Sequence, residues 1–175
     1  MIRRVSLADA QALCEIYNPY ILESIVTFEE VPVTEAQMQT RIQDAPVHLP
    51  WFVYEEKEKV LAYAYAGVWK ERSAYRFTVE TTVYVHPEAR GKGLGSLLYH
   101  QLLQELKAKG FHIAVACLAL PNPESQKLHE KFGFKPVAVF SQVGFKFESW
   151  LDVGYWELKL EDFPSFYLES FRGEA

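Results

Sequence analysis

The chain has 175 residues, of which 49% are apolar, 23% charged and 15% aromatic, and this predicts one domain over 1–175 with a core that needs no disulfide or metal. Its formal charge of −5 argues against a dedicated nucleic-acid-binding protein. It has no run of 18 apolar residues, no secretion signal, and no metal-ligand spacing among its two cysteines and five histidines. We therefore expect a soluble, cytoplasmic protein without a metal, membrane or nucleic-acid partner.

The first third of the chain predicts a short strand, two helices and a hairpin. In chain order these are a strand at 2–5, a helix capped by Ser6 and interrupted at Asn18, Pro19 and Tyr20, a helix at 34–44, and a hairpin of 51–54 with 60–66. Thr34 and Gln37 form a capping box, which fixes the start of the second helix.

The remainder predicts a strand–loop–helix–strand–helix order followed by three extended stretches. These elements are a strand at 76–85, a helix from Leu94 that Gly110 ends, a buried strand at 111–120, a helix opened by Asn122 and Pro123 and ended by Gly133, and extended runs at 136–143, 145–150 and 153–160. We therefore expect the core of the domain to comprise about 2–160, with an aromatic C-terminal tail at 161–175. The order of elements predicts a mixed α/β fold with a strand–loop–helix at its centre.

A glycine-rich loop joins the predicted strand at 76–85 to the next helix. It consists of Arg90, Gly91, Lys92, Gly93, Leu94, Gly95 and Ser96. Glycines let backbone N–H groups converge on an anion, and the following helix adds the positive end of its dipole. Lys92 precedes the last glycines, which excludes a Walker A loop, and Ser96 stands where a dinucleotide fingerprint needs glycine. The pattern Arg-x-x-Gly-x-Gly at the start of a helix matches Arg90, Gly93 and Gly95 without adjustment. The alternative to a phosphate-binding loop is a tight surface turn with solvated charges.

Three segments together resemble the GNAT superfamily of N-acetyltransferases. They are 82–96, 111–120 and 122–134. The branch that acetylates phosphinothricin, methionine sulfone and methionine sulfoximine is the more specific match, and the resemblance covers about 2–160. The features typical of that branch are 16–18, 78–85, 128–130, 142–146 and 150–152.

This resemblance implies a three-layer α/β/α fold with a central, partly splayed mixed sheet. It implies that the glycine loop binds the pyrophosphate of acetyl-CoA, the only cofactor expected, and that acetyl passes directly to the α-amine of a small amino acid or analogue. Members of the branch usually form homodimers. Two alternatives stay open: an enzyme that acetylates peptides or proteins, and a non-catalytic acyl-CoA-binding sensor.

The strand at 76–85 supplies the candidate acceptor site. Alternate residues of a strand share a face, and one face carries Arg76, Thr78, Glu80, Thr82 and Tyr84. A zwitterion could present its carboxylate to the fork of Arg76 and its amine to Glu80. The branch uses a Glu at this position as general base, directly or through a water. On spacing alone, a solvated carboxylate is an equal alternative.

The resemblance assigns the remaining site residues. The backbone of Val83, Tyr84 and Val85, freed by a bulge in the strand, would contact the thioester. Asn122 and Ser125 would contact acetyl-CoA, although helix capping alone explains Asn122.

His129 and Lys146 complete the candidate site. His129 matches the branch's histidine, and an imidazole can act as base, acid or orienting group near neutral pH. Lys146 is assigned to the substrate mouth, with core packing as the alternative. It lies in a run, 145–150, that departs from the phosphinothricin enzymes and so leaves the preferred acceptor open.

Overall fold

The computed structural model describes residues 1–164, and one seven-stranded sheet runs through them. The strands are β1 (Ile2–Arg4), β2 (Trp51–Glu56), β3 (Lys59–Val68), β4 (Thr78–Val85), β5 (Ile113–Leu120), β6 (Lys135–Lys146) and β7 (Ser149–Lys159). Their order across the sheet is β1-β2-β3-β4-β5-β7-β6. Only β4 and β5 pair in parallel, and the other neighbours are antiparallel. The sheet is therefore mixed, as the sequence predicted.

Four helices cover the sheet and divide the core in two. They are α1 (Ala10–Glu23), α2 (Glu35–Asp44), α3 (Leu94–Ala108) and α4 (Pro123–Lys131). The leucines of α3 pack with residues of β3, β4 and β5 in one cluster, whereas α1 and α2 pack with β2 and β3 in the other. Helices thus lie on both faces, which confirms the expected layered α/β fold. No helix within 1–164 combines the length and apolar composition needed to cross a membrane.

The central parallel pair opens into a fork, and the fork positions the functional site. β4 pairs with β5 only from Thr78 to Glu80. Beyond that point β4 stays on β3 as far as Val85, and β5 stays on β7 as far as Leu120. The register of β4 on β3 is continuous, so the splaying comes from lost pairing with β5 and not from the expected bulge in that ladder.

Helix α1 continues through the point where the sequence predicted an interruption. Pro19 lies inside it, although proline removes one helical hydrogen bond. Burial of Ile16, Tyr17 and Ile21 on the same helix compensates for that loss. Asn18 uses its side chain to bond both the N–H and the carbonyl of Val33, and so ties the helix to the segment before α2.

Two further predicted boundaries were wrong. β4 begins at Thr78, so Arg76 lies in the turn that precedes it. The three extended stretches near the end are two strands, β6 and β7, joined by Phe147 and Glu148, both at positive φ as a tight hairpin turn requires. The break predicted near Gly144 corresponds to a register irregularity inside β6. The predicted tail beyond Pro164 lies outside the described residues.

Candidate active site

A cleft of about 350 Å³ lies where β4, the glycine loop and the start of α4 meet. It brings together all the predicted cofactor residues except Lys92, namely Val83, Tyr84, Val85, Arg90, Gly91, Gly93, Leu94, Gly95, Ser96, Asn122 and Ser125. These residues come from three separate parts of the chain. The fold therefore assembles them around one concave surface.

The glycine loop has the geometry of an anion cradle. Gly91 and Gly93 adopt φ of +77° and +73°, which side chains rarely tolerate, and Gly93 is the N-cap of α3. The first N–H groups of α3 therefore open onto the cleft with the positive end of the helix dipole. The guanidinium of Arg90 stacks 4.9 Å above the ring of Tyr20 at the cleft wall. Backbone donors and a full positive charge thus converge where a pyrophosphate would lie.

Peptide groups of β4 face the fork. His86 donates its N–H to the carbonyl of Leu61 on the β3 side, at 2.8 Å. Because backbone direction alternates along a strand, the peptide groups of Val83 and Val85 face the other way, toward the gap that β5 leaves. The hydroxyl of Tyr20 donates to the Val85 carbonyl at 2.7 Å. The fork therefore offers strand-like hydrogen bonds to an extended ligand.

The start of α4 forms the opposite wall of the cleft. The side-chain oxygen of Asn122 accepts from the N–H of Ser125 at 3.2 Å, the bond of an N-cap residue. One turn further, the carbonyl of Ser125 lies 2.7 Å from His129 Nδ1. The cap thus fixes the first turn of α4, from which the two predicted acetyl-CoA contacts, Asn122 and Ser125, line the cleft.

His129 is a buried, neutral imidazole at the base of the fork. Its ring lies edge-on to Tyr99 and Phe134, with centroids 5.1 and 5.2 Å away. Burial lowers the pKa of His129 to about 4, although the bond to the Ser125 carbonyl acts in the opposite direction. That carbonyl can only accept, so Nδ1 carries the proton and Nε2 keeps its lone pair. No residue within 1–164 hydrogen-bonds Nε2.

Glu80 lies at the last paired rung of the fork, opposite Val115. Burial raises the pKa of its carboxyl, and the positive charge of Lys70 partly opposes that rise. Burial raises the pKa of the Cys117 thiol, a hydrogen bond with Cys117 raises the pKa of Tyr155, and the negative charge of Glu80 adds a smaller rise to both, so the three groups lie near one another. A partly buried carboxylate with a raised pKa is a stronger base than an exposed one.

A second cavity, of about 600 Å³, opens on the same side of the sheet as Glu80. Thr78, two residues before Glu80, lines it together with Lys70, Tyr155 and other residues. The rest of its wall is largely apolar, formed by Trp69, Tyr75, Ile113, Val115, Val137, Ala138, Phe140 and Glu157. The cavity thus carries one cation, Lys70, and one carboxylate, Glu157, in an otherwise largely apolar wall, which suits a small molecule with both an amine and an acidic group.

The structure separates the four predicted substrate residues. Thr78 lines the large cavity, and Thr82 lines a small cavity in the fork with His129 and Cys117. Arg76 lies in the turn before β4, where its guanidinium bonds the Ser73 carbonyl and stacks on the adjacent Phe77 ring.

Lys146 is 3% exposed, and its ammonium donates to two backbone carbonyls of the segment after α1. Among residues 1–164, no group of three or more His, Cys, Asp or Glu could hold a metal ion.

Sequence reasoning missed Lys70, Tyr155 and Cys117. Lys70 follows β3 in an irregular loop, where no periodicity indicates a direction. Cys117 and Tyr155 come beside Glu80 through strand pairing, since Glu80 pairs with Val115, two residues from Cys117, and Cys117 pairs with Tyr155. A correct register for the three strands would have identified both.

Comparison with known proteins points in one direction. The model of the acetyltransferase (GNAT) family matches residues 11–134. A phosphinothricin N-acetyltransferase of Streptomyces viridochromogenes is 41% identical over 91% of this chain and 87% of its own length. An L-methionine sulfoximine/L-methionine sulfone acetyltransferase of Salmonella typhimurium is 36% identical over 92% and 95%. A phosphinothricin acetyltransferase of Sinorhizobium meliloti, solved in complex with acetyl-CoA, superposes with a TM-score of 0.88 at 34% identity over 95% of this chain and 91% of that one.

Proposed function

The chain belongs to the GNAT family and is an acetyl-CoA-dependent N-acetyltransferase, and from that premise we propose that its acceptor is the α-amine of a small amino acid or analogue. Phosphinothricin, methionine sulfoximine and methionine sulfone are the first candidates, because similar proteins carry their names. The observation that carries the proposal is the fork. Along β4, Thr78 lines the large cavity and Val83, Tyr84 and Val85 line the glycine-loop cleft, and Glu80 lies between them at the last rung paired with β5.

The cleft suits acetyl-CoA, which supplies the activated acetyl group of the reaction. The loop around Gly93 and the charge of Arg90 would hold the pyrophosphate. The peptide groups of Val83 and Val85 would pair with an extended chain along the fork. Their N–H groups are also the donors that would stabilise negative charge developing on the reacting carbonyl oxygen. Asn122 and Ser125 would border the chain from α4.

In the proposed mechanism Glu80 removes a proton from the acceptor ammonium, because only the free amine can attack a thioester carbonyl. The raised pKa of Glu80 favours this transfer. We propose that Lys70, rather than Arg76, binds the acidic group of the acceptor. Lys70 lines the cavity beside Glu80, whereas the guanidinium of Arg76 is engaged outside it. Thr78 and Thr82 border the acceptor on either side of Glu80.

The test is acetyl-CoA-dependent thiol release with a panel of the three analogues, ordinary amino acids, polyamines and short peptides. We expect saturable turnover with the analogues, and loss of turnover in Glu80→Gln but not in Glu148→Gln, which lies in the exposed hairpin turn. Turnover with peptides alone would replace the proposal by a protein-directed enzyme. Binding of acetyl-CoA with no turnover across the panel would contradict it and favour the sensor.

We also propose a cytoplasmic homodimer, formed through the outer strand of the sheet. β6 ends the sheet, and with the adjoining hairpin it carries seven large apolar side chains that are each more than half exposed, Val137, Val139, Phe140, Val143, Phe145, Phe147 and Trp150. Large exposed apolar side chains concentrated along one edge strand favour an interface there. Sedimentation should give a dimer for the wild type and a monomer for Phe145→Lys, and a monomeric wild type would refute this proposal.

A further inference from the structure

A segment without regular secondary structure, residues 24–29, crosses the mouth of the fork, and we call it the strap. It follows α1 directly. Ser24 and Val26 line the cofactor cleft. Val26 also lines the small cavity that contains Thr82 and His129. The strap therefore covers the place where the cofactor cleft and the reacting centre meet.

Lys146, the last residue of β6, holds the strap from the outermost strand of the sheet. Its ammonium donates to the carbonyl of Ser24 at 2.8 Å and to that of Thr27 at 2.7 Å. The side chain is only 3% exposed. A buried ammonium is costly unless its donors are satisfied, and these two carbonyls, together with the negative charges of Glu29 and Glu30, offset that cost.

A second contact joins the same two segments. The ring of Phe28 lies so close to Gly144 that a Cβ on this glycine would stand 2.4 Å from a ring carbon. Gly144 and Lys146 are two residues apart on β6, so two alternate positions on one face of the strand contact the strap. On the α1 side, the hydroxyl of Tyr17 lies 2.7 Å from the hydroxyl of Thr27. The strap is thus fixed from both sides.

We propose that Lys146 is a positioning residue for acetyl transfer, which acts by fixing the strap over the fork and touches neither substrate. Its two carbonyl bonds determine where Val26 lies above the reacting centre. Val26 borders both the cofactor cleft and the fork cavity, so loss of these bonds affects the binding of acetyl-CoA and of the acceptor together. The kinetic part of this inference rests on the proposed function, whereas the structural part does not.

The test is Lys146→Met, which keeps the length of the side chain and removes its donors, compared with Lys135→Met, an exposed lysine on the same strand. In Lys146→Met, the KM values for acetyl-CoA and for the acceptor should both rise, on the order of tenfold each, the effect of losing a hydrogen bond to a charged group. Amide hydrogen exchange should accelerate in 24–29 and stay unchanged in 10–20. Lys135→Met should match the wild type in every readout.

Phe28→Ala is the second variant, and it releases the strap without removing a charge. It should shift both KM values and the exchange of 24–29 in the same direction as Lys146→Met. A rise in the acceptor KM alone, with unchanged exchange, would overturn the inference and make Lys146 a direct substrate contact. Unchanged KM values would also contradict the inference, because Lys146 would then have only a packing role. If the wild type transfers no acetyl group, the proposed function fails, while acetyl-CoA affinity and amide exchange still decide the role of the strap.

Discussion

Acidification should destabilise this protein through His129, and the effect can be isolated. The folded imidazole has a pKa of about 4 because of burial, whereas an unfolded histidine titrates near 6.5. Between these values the unfolded chain binds a proton that the folded chain refuses, so stability is complete above pH 6.5 and falls as the pH approaches 4. At roughly 1.4 kcal/mol per pH unit, the full loss is about 3 kcal/mol, and about 2 kcal/mol of it is reached by pH 5.

The assay is urea unfolding at pH 7 and pH 5 of the wild type, His129→Gln and the control His48→Gln, which changes an exposed histidine. Any pH-independent cost of each substitution cancels when a protein is compared with itself at the two pH values. His129→Gln should lose about 2 kcal/mol less than the wild type over this interval. His48→Gln should behave as the wild type does. Equal losses in the wild type and His129→Gln would refute a neutral, buried His129.

The same titration bears on catalysis. With a pKa of about 4, only about one folded molecule in a thousand carries a protonated His129 at pH 7. The ring is therefore a poor source of the proton that a departing thiolate takes up. Its Nε2 lone pair can instead accept a hydrogen bond in the fork. Of the three roles that the sequence left open, base, acid and orienting group, the low pKa of His129 argues against the acid, and its Nε2 lone pair suits an orienting group.

Three further predictions concern the acceptor and cofactor sites. Glu80→Gln should lower kcat by 10²- to 10⁴-fold, roughly the contribution of a general base, with the KM for acetyl-CoA unchanged in steady-state assays. Lys70→Met removes the positive charge that lowers the pKa of Glu80, so the acidic limb of the pH profile of kcat/KM should move to higher pH. An acidic limb that does not move would show that Lys70 has no effect on the pKa of Glu80. Gly93→Ala forces a side chain to φ +73°, at a cost of about 1–2 kcal/mol. Calorimetry should therefore show weaker binding of acetyl-CoA to Gly93→Ala than to the control Gly95→Ala. The Cβ added at Gly95 meets only Val85 at 3.4 Å and Val83 at 3.8 Å.

The parts of the site that local chemistry determines could be predicted from the sequence. The glycine loop is one of them, because Gly91 and Gly93 take up positive φ, which glycine adopts without the steric cost of a side chain. The N-cap of α4 is another, since Asn122 bonds Ser125 within the same turn. Both features involve residues fewer than five positions apart. Both features therefore form locally, independently of the tertiary structure around them.

Features that depend on register or on distant packing could not be predicted in this way. Arg76 was expected on the strand, but the turn at 73–75 intervenes and directs its guanidinium elsewhere. Pro19 was expected to interrupt α1, but burial of the helix outweighs the lost hydrogen bond. Lys146 was assigned to the substrate mouth, and its bonds to the strap span more than one hundred residues of sequence. For Pro19 and Lys146 the deciding contacts lie far away in the sequence, whereas Arg76 depends on where β4 begins, which the alternation of residues does not show.

The fork explains why a single strand can serve both halves of the reaction. Were β5 to remain paired beyond Val115, the peptide groups of Val83 and Val85 would be used up in the sheet and would have nothing to offer a ligand. Leaving them out of the ladder costs about 1–3 kcal/mol for each group that stays unsatisfied, and an extended ligand that enters the fork recovers this cost on binding. Glu80 lies at the last closed rung, where burial raises the pKa of its carboxyl, two residues after Thr78, which lines the large cavity. Where the pairing of β4 with β5 ends therefore sets both the surface that we propose binds acetyl-CoA and the basicity of the carboxylate that we propose activates the acceptor.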